Sequence, residues 1–364
     1  MDIIIFTECP TKDYYRALFN LEKKGRVKVS FIDSRTLYLF FLKIYSSSYI
    51  LRKIGNRYFG KPVNIEKKIS WKDVWSSFSG YFILPFTHKK IVALFAPYHL
   101  ISPYLYLLKL MKKEVVFMTS WPYWNGKEYV HRPLPFIPFF WRKFLKNRRI
   151  IAISRIGKNS LEKYSSRVVQ IPHAVDLQTF SPGKKKTFQV LFVGRIIHEK
   201  GIQGIIDVAR DLKNINFIFV GSGSAVSLVK NSVLKNVQYL GEIRDRERLA
   251  QVFRESSVFV LNSYKIPGWE ELYGIVLLES LASGTPVIST DCVGPREIIS
   301  SDFGFLIKQK DTQDLREKIL WCSTHQKELV TMGLLGRKFV EENYDIEKLS
   351  EKWHELFLSK TFKG

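Results

Sequence analysis

The chain alternates short apolar runs with helix-length segments, and this alternation restricts its fold more than any other feature. Residues 3–6 and 190–193 are examples of runs that suit a buried strand. Parallel strands must be joined by long crossovers, which are usually helices. The pattern therefore predicts an α/β chain with parallel sheets. A run of turn residues and lysines at 181–186 divides the pattern into two series.

Two series in 364 residues predict two domains, because a domain usually holds about 100–200 residues. We expect doubly wound, Rossmann-like domains that face each other across a cleft, the usual place for a ligand. The first is expected to span residues 1–180 and the second residues 181–346. An amphipathic helix at about 347–364 is expected to pack back on the first domain.

The expected elements are short and follow one another closely in both series. In the first series, strands are predicted at residues 3–6, 27–32, 91–95, 114–118, 150–153 and 168–171, with helices at 13–21, 101–112 and 156–164. In the second, strands are predicted at 190–193, 217–220, 237–240, 258–261, 286–289 and 304–307, with helices at 201–212, 246–255, 274–283, 315–322 and 347–358.

The chain is strongly basic, with a formal net charge of +23. Such a surplus favours a polyanionic partner: a nucleic acid, nucleotide phosphates or an anionic membrane face. A basic host proteome would produce the same bias with no partner, and that alternative stays open. The three cysteines form no CxxC or Cys/His cluster, which argues against a disulfide scaffold and against structural zinc.

Two stretches, 35–61 and 133–149, mix aromatic and basic side chains. Aromatic rings prefer the headgroup boundary, and each nearby cation gains ~1 kcal/mol at an anionic leaflet. The alternative is a core helix with a solvated basic face. We expect neither a secretory leader nor a membrane span, since no uncharged apolar run reaches about 18 residues. A cytoplasmic protein is expected, with peripheral association at the inner face of the cell membrane left open.

A glycine–arginine turn follows the first strand of the second series. Gly194 permits a tight turn, Arg195 can fork to two phosphate oxygens, and Lys200 can add a point charge. The free N–H groups of the next helix would complete an anion site; a plain surface turn is the alternative. A second turn contains Gly221 and Gly223 but lacks the third glycine of a dinucleotide fingerprint, so it is interpreted as a glycine turn near a ligand.

Glu271 and Glu279 bracket an apolar segment that is expected to open a helix. They are eight positions apart, so at ~100° per residue the second falls within ~80° of the first, about two turns further on. Two carboxylates on an otherwise apolar helix need polar partners, and the hydroxyls of a sugar and of a ribose would serve. A solvated surface pair is the alternative.

A set of motifs runs in a fixed order through residues 171–307. They are I-P-H-A-V-D at 171–176, F-S-P at 180–182, F-V-G-R at 192–195, E-K-G at 199–201, F-V-G-S-G at 219–223, L-G at 240–241, the stretch 271–287, V-G-P-R-E at 293–297 and G-F-L at 304–306. In order and spacing this set resembles the retaining glycosyltransferases of family 4, which have the GT-B fold.

The resemblance implies transfer of a sugar from a UDP- or GDP-sugar to a hydroxyl acceptor, with no metal and no cofactor. Arg195 and Lys200 would bind the donor diphosphate and stabilise the leaving group, and Glu271 would contact the donor sugar. Further donor contacts are implied at Gly194, Gly221, Gly241, Gly274, Ile275 and Glu279, the last on the ribose hydroxyls. The first domain would hold the acceptor, for which we expect a lipid-linked or cell-surface glycan.

The first domain departs from the family pattern at two places. The loop after its first strand, T-E-C-P-T-K at 7–12, has no glycine, and Trp121 stands where many relatives carry a histidine. His99 and Trp121 are candidates for acceptor or sugar contacts, with a structural role as the alternative. His173, where relatives usually have asparagine, is a third candidate.

Two other functions stay open at this point. A catalytically silent GT-B scaffold that binds sugar nucleotides would account for the departures in the first domain. A basic nucleic-acid-binding protein would account for the charge. It leaves the glutamate pair and the Arg195–Lys200 turn unexplained, so we expect no nucleic-acid partner.

Overall fold

The computed structural model describes residues 1–8, 11–34, 71–124, 134–185 and 187–359. They divide into two compact units, Met1–His173 with Leu349–Gly364, and Ala174–Lys348, which we call the N-terminal and C-terminal units. The aromatic–basic segment predicted at 35–61 lies outside the described residues, as do two residues of the glycine-free loop, Cys9 and Pro10.

The two units divide after His173, ahead of the turn-rich run that the sequence suggested as the boundary. Val175 explains the difference, since it is tied to the C-terminal unit by two backbone hydrogen bonds. Its N–H donates to the carbonyl of Tyr344 at 2.9 Å, and its carbonyl accepts from Ile346 N–H at 3.0 Å.

The N-terminal unit contains a six-stranded parallel sheet in the order β2-β1-β3-β4-β5-β6. Its strands are β1 (Asp2–Thr7), β2 (Lys28–Asp33), β3 (Lys90–Leu94), β4 (Val115–Thr119), β5 (Ile150–Ala152) and β6 (Val168–Gln170). The inner strands are almost wholly buried, whereas β2 and β6 at the edges are not. This is the burial that the continuous apolar runs predict for a parallel sheet.

Among the described residues, five helices flank this sheet, in addition to the 3-10 turn Lys12–Tyr15. They are α1 (Arg16–Lys23), α2 (Trp71–Ile83), α3 (Ser102–Leu110), α4 (Ile137–Leu145) and α5 (Arg155–Leu161). The sequence analysis did not predict α2, and it offered a helix in the second aromatic–basic stretch only as an alternative. That helix, α4, buries Trp141 and Phe144 while Phe139 and Lys143 are exposed.

The C-terminal helix α13 (Ile346–Leu358) joins the N-terminal unit from Leu349 onward. Ser350 Oγ donates to the carbonyl of Ala17 at 3.0 Å, and Arg149 Nη1 donates to the carbonyl of Leu356 at 2.6 Å. Among the described residues, no helix is both long enough and apolar enough to cross a membrane.

The C-terminal unit contains a second six-stranded parallel sheet, in the order β12-β11-β10-β7-β8-β9. Its strands are β7 (Gln189–Val193), β8 (Asn216–Val220), β9 (Val237–Tyr239), β10 (Val258–Leu261), β11 (Val287–Thr290) and β12 (Gly304–Ile307). Its helices are α6 (Ile202–Asp211), α7 (Val226–Lys230), α8 (Arg246–Glu255), α9 (Ile275–Ala282), α10 (Val293–Ile298), α11 (Thr312–Thr324) and α12 (Gln326–Asn343). The predicted fold class, two Rossmann-like α/β domains, is confirmed.

The 18-residue helix α12 is the largest element that the sequence analysis missed. Two glycines in its buried face lower its helix propensity. Packing explains one of them, because a Cβ at Gly333 would lie 2.4 Å from the carbonyl oxygen of Gly284. The helix therefore rests directly on the backbone that follows α9, and tertiary contact outweighs propensity here.

Each sheet has one point at which the strand order reverses. In the N-terminal sheet this point lies between β1 and β3, and in the C-terminal sheet between β7 and β10. The loops that leave the two strands at such a point turn in opposite directions, which opens a crevice beyond their carboxyl ends. Ligands of open α/β sheets bind in this crevice. The two loops that border it in each unit are therefore the expected ligand-binding loops.

Candidate functional site

The loop after β7 forms one wall of the C-terminal crevice. It lies against the loop after β8 so closely that a Cβ at Gly221 would be 1.8 Å from the carbonyl oxygen of Gly194. Gly221 also has a φ of +138° and donates its N–H to the carbonyl of Gly241 at 2.8 Å. Gly194, Gly221 and Gly241, three of the four predicted donor-binding glycines, are therefore neighbours, and the close backbone packing explains why residue 221 is a glycine.

Lys200 lies beside this wall and is buried, with 8% of its surface exposed. It ends the short 3-10 helix His198–Lys200 that follows the turn. Its ammonium forms an ion pair with the carboxylate of Glu271, and it also lies 5.6 Å from the centre of the Trp269 ring. Ser263 Oγ, beyond the end of β10, donates to the same carboxylate at 3.4 Å. The Lys200–Glu271 pair thus bridges the two strands of the reversal point.

Arg195 lies on the same loop but in a different environment. It is exposed, and its guanidinium has no hydrogen-bonding or ionic partner among the residues that the structure describes. Because Glu271 balances the charge of Lys200, Arg195 supplies the uncompensated positive charge of this loop. An anion that enters the crevice would meet that charge first.

Glu271 does not lie on a helix, and the predicted two-turn geometry with Glu279 is wrong. The helix α9 begins only at Ile275, after Gly274 at φ +83°, a left-handed conformation that favours glycine. Glu271 lies in the loop before it, where its carbonyl accepts from Gly294 N–H at 3.0 Å. The break at Gly274 turns the Glu271 carboxylate toward Lys200 and leaves the first N–H groups of α9 without partners inside the helix.

Glu279 lies within α9, is 2% exposed and forms an ion pair with Arg246 at the start of α8. The Oε1–Nη2 distance is 2.9 Å, and the guanidinium also lies 4.7 Å from the centre of the Phe180 ring. The solvated-pair alternative is therefore wrong for Glu279. Sequence reasoning missed Arg246, although a buried carboxylate on an apolar helix requires a cation or several donors. The structure gives no direct contact between Glu279 and Glu271, Lys200 or Arg195.

The N-terminal candidates lie at the carboxyl edge of their own sheet. His99, in the loop after β3, has its Nε2 3.4 Å from a carboxylate oxygen of Glu8, which directly follows β1. Burial lowers the pKa of His99, although the charge of Glu8 acts in the opposite direction. Sequence reasoning named His99 but missed Glu8, whose signal was its position after the first strand.

Trp121 and His173 are less closely linked to this edge. Trp121 follows β4, is half-buried, and donates its backbone N–H to Thr119 Oγ1 at 3.1 Å. His173 is buried and stacks on Tyr14, with ring centres 5.0 Å apart. Burial and the nearby Arg16 lower the pKa of His173 to about 3. His173 therefore packs within the N-terminal unit, and a ligand contact by its side chain stays a prediction.

The arrangement in the C-terminal unit can now be compared with known proteins. Residues 176–339 match the family model for glycosyl transferases group 1. The matched segment lies within the C-terminal unit and covers under half of the chain. It includes Arg195, Lys200, Glu271 and Glu279, so the site described above lies inside the matched segment.

Two curated relatives support the glycosyltransferase superfamily. An uncharacterized glycosyltransferase of Methanocaldococcus jannaschii is 30% identical over 55% of this chain and 57% of its own length. The N,N'-diacetylbacillosaminyl-diphospho-undecaprenol alpha-1,3-N-acetylgalactosaminyltransferase of Campylobacter jejuni is 29% identical over 48% of this chain and 45% of its own length. The chain spans about half the length of the curated relatives it matches.

A solved structure extends the likeness to both units. HepE of Anabaena, crystallised with UDP and glucose, superposes with a TM-score of 0.69 over 99% of this chain and 100% of its own, at 14% identity. This likeness concerns the fold, and the fold is GT-B.

Proposed function

We propose that the protein is a glycosyltransferase that moves a sugar from a nucleoside-diphosphate sugar, UDP- or GDP-linked, to a hydroxyl acceptor. The observation that carries the proposal is the reversal point of the C-terminal sheet. There a buried lysine is held by a carboxylate while an arginine on the same loop keeps its charge available. The group 1 family match covers these residues and supports the same reaction class.

The chemistry follows from the charge that develops as the donor breaks. When the bond between the sugar and the diphosphate is cleaved, negative charge grows on the leaving oxygen. Lys200, held by Glu271, and the first N–H groups of α9 are fixed donors for that charge, and the exposed Arg195 adds a further donor. Stabilisation of this kind is usually a large part of catalysis.

The two glutamates have separate roles in this proposal. Glu271 fixes the ammonium of Lys200 and uses its remaining acceptor capacity on a hydroxyl of the donor sugar. Glu279, buried against Arg246, accepts from the ribose hydroxyls. Arg246 then both balances Glu279 and borders the nucleotide. Backbone N–H groups near Gly274 and Ile275 bind the phosphates.

We further propose that transfer retains the anomeric configuration and needs no metal, as in the family that the motifs resemble. The departing phosphate oxygen would help to deprotonate the acceptor on the same face of the sugar. Proton NMR of the first product formed tests retention, because an inverted anomer would exclude it. An excess of EDTA tests metal independence, and the expected rate of nucleotide release is unchanged.

For the acceptor we propose a lipid-linked or cell-surface glycan that meets the protein at an anionic membrane surface. The Campylobacter relative acts, by its name, on a diphospho-undecaprenol substrate. The helix α4 supports membrane contact with exposed aromatic rings at Phe136 and Phe139, and Lys143 lies 5.5 Å from the ring centre of Phe139. Cosedimentation with phosphatidylglycerol vesicles tests this, with Phe139→Ser as the variant and zwitterionic vesicles as the control.

The direct test of the reaction class is nucleotide release. Purified full-length protein is incubated with a panel of UDP- and GDP-sugars, with and without a lipid extract, and free nucleoside diphosphate is measured. Slow release with at least one donor, faster with extract, is expected. Binding of a sugar nucleotide without turnover in any mixture would favour the silent scaffold instead.

A further inference from the structure

The reversal point of the N-terminal sheet holds a carboxylate and an imidazole rather than cations. Thr7 ends β1 and is level with Leu94, the end of β3, so the two strands stop at the same height. Glu8 directly follows the first strand, and His99 lies in the loop after the second. The two side chains meet across the crevice that this topology creates.

Glu8 is held in one orientation by two donors. One carboxylate oxygen accepts the N–H of Ala96, and the other lies 3.4 Å from His99 Nε2. Ile101 N–H donates to His99 Nδ1 at 3.1 Å, which fixes the tautomer with its proton on Nε2, facing Glu8. Trp141 Nε1–H donates to the carbonyl of His99 at 3.1 Å and anchors the same loop.

Glu8 keeps both acceptor capacity and access to solvent. Each carboxylate oxygen has two lone pairs, and each uses one on the contacts just described. The Glu8 side chain is 19% exposed, against 14% for His99. The carboxylate is thus an oriented acceptor with an open side, at the position where this topology binds ligands.

We propose that Glu8, oriented by His99, binds a hydroxyl group of a neutral sugar at the reversal point of the N-terminal sheet. This site rests on the proposed function, since the sugar bound there is the acceptor of the transfer. A carboxylate attracts hydroxyl donors and repels phosphate. The crevice therefore selects the uncharged part of an acceptor and keeps any phosphate of that acceptor away from it.

Saturation-transfer NMR of the full-length protein with a panel of neutral methyl glycosides tests the site. The wild type is expected to give a saturation-transfer signal with at least one glycoside. Glu8→Gln is expected to reduce that signal at least about fivefold, since an oriented charged acceptor is lost. Glu114→Gln is the matched control, because Glu114 immediately precedes β4 at the opposite edge of the same sheet. No glycoside signal in the wild type, or an undiminished signal in Glu8→Gln, would overturn the proposal.

Three further variants, Glu8→Asp, His99→Gln and His99→Ala, keep the test decisive if Glu8→Gln fails to fold. Glu8→Asp retains the charge with a shorter reach and is expected to weaken the glycoside signal as well. His99→Gln retains an N–H donor near Glu8 and is expected to bind the methyl glycoside more tightly than His99→Ala does. Equal glycoside binding by these two variants would contradict a positioning role for His99.

Charge selection gives an independent readout. The wild type is expected to bind methyl glucoside at least about tenfold more tightly than glucose 6-phosphate. In Glu8→Gln the ratio of these two affinities is expected to be smaller. A wild type that prefers the phosphate contradicts the proposal. The same samples report nucleotide release from the panel of UDP- and GDP-sugars. If glycoside binding depends on Glu8 but no nucleotide is released, the proposed reaction is contradicted and this site is supported. If nucleotide is released but glycoside binding does not depend on Glu8, the proposed reaction is supported and this site is contradicted.

Discussion

The parallel sheets of the two units differ in strand order but each reverses once, and the two units hold opposite charges at that point. In the C-terminal unit a lysine is balanced by Glu271, and Arg195 adds a free positive charge. In the N-terminal unit the more exposed group is a carboxylate, Glu8, and its partner is the half-buried imidazole of His99, whose pKa is lowered by burial. On the two proposals above, the C-terminal unit binds an anion at this point and the N-terminal unit binds a hydroxyl group.

The loops themselves explain how the two reversal points carry different chemistries. After β7 the chain has Gly194, and the next loop packs against it backbone to backbone, which leaves room for the long side chains of Arg195 and Lys200. After β1 the chain continues with Glu8, whose carboxylate accepts a backbone N–H of the loop after β3. A glycine at that position would leave the N–H of Ala96 available to a phosphate, and Glu8 removes that option.

The largest expected effect concerns Lys200. We expect Lys200→Met to reduce nucleotide release by about a thousandfold or more, because a buried cation next to the leaving group is lost. It should also lower the free energy of unfolding by about 3–5 kcal/mol, since Glu271 becomes a buried charge without its partner. Activity assays and urea denaturation measure the two effects separately.

The double variant Lys200→Met/Glu271→Gln separates these effects. Removal of both charges should restore most of the lost stability but none of the activity. Recovered nucleotide release in the double variant would show that Lys200 has only a structural role.

Arg195 should behave differently from Lys200, because it is exposed and has no partner among the described residues. We expect Arg195→Gln to slow nucleotide release by about a hundredfold, the usual scale for loss of one donor to a developing negative charge. The thermal midpoint should stay within about 1 °C, as for most surface substitutions away from specific contacts. Arg210→Gln, on the outer surface of α6, is the control; equal rates for the two variants would refute the anion site.

Acid should weaken the N-terminal unit through its buried histidines. The pKa of His173 is about 3 in the folded protein against 6.5 when unfolded, and burial shifts the pKa of His99 in the same direction. Below pH 6.5 the unfolded chain binds protons that the folded unit does not, so stability falls by at most ~1.4 kcal/mol per pH unit for each group. Between pH 7 and pH 5, the free energy of unfolding should therefore fall by about 2 kcal/mol less in His173→Asn than in the wild type.

Hydrogen exchange on amides of β3 and β4 reports on this unit alone. A loss of protection on acidification that is the same in the wild type and in His173→Asn would mean that this histidine does not couple to folding. Amides of β10 and β11, in the C-terminal unit, provide the internal reference.

The smallest effect is expected at Glu279. Glu279→Gln keeps the shape of the side chain but weakens its contact with Arg246, which can still reach solvent because it is 38% exposed. We expect about tenfold weaker UDP binding and a loss of stability of about 1–3 kcal/mol, the scale for a weakened charge-assisted hydrogen bond. Calorimetric titration with UDP checks this, and unchanged affinity would exclude a ribose contact.

The sequence predicted the sheets well because their strands are buried on both faces and appear as continuous apolar runs. The strands β10 and β12 have the predicted bounds, and each other strand differs from its predicted bounds by one residue at one end or at both. Helices that pack through small or aromatic residues were harder to predict. The glycines of α12 are required by contact with the backbone near Gly284, and that contact is between residues distant in sequence.

The sequence named residues that the structure brings together, but it did not predict their geometry. Arg195, Lys200 and Glu271 follow from chemistry and motif, and the structure joins the last two in an ion pair. The relation between Glu271 and Glu279 was wrong because it requires a helix that starts at Glu271, whereas the helix starts at Ile275, after Gly274. Arg246 and Glu8 were missed because their partners come from distant segments, and only the fold brings them together.

The central claim is that the C-terminal reversal point is built to bind the charge of a nucleoside diphosphate. Calorimetric titration of the wild type and of Arg195→Gln, with UDP against uridine and GDP against guanosine, tests it most directly. The account predicts that one diphosphate binds the wild type at least about a hundredfold more tightly than its nucleoside, since each charge-assisted hydrogen bond contributes about 1.5–3 kcal/mol, and that Arg195→Gln loses most of that margin. Equal affinity of the wild type for diphosphate and nucleoside would contradict it.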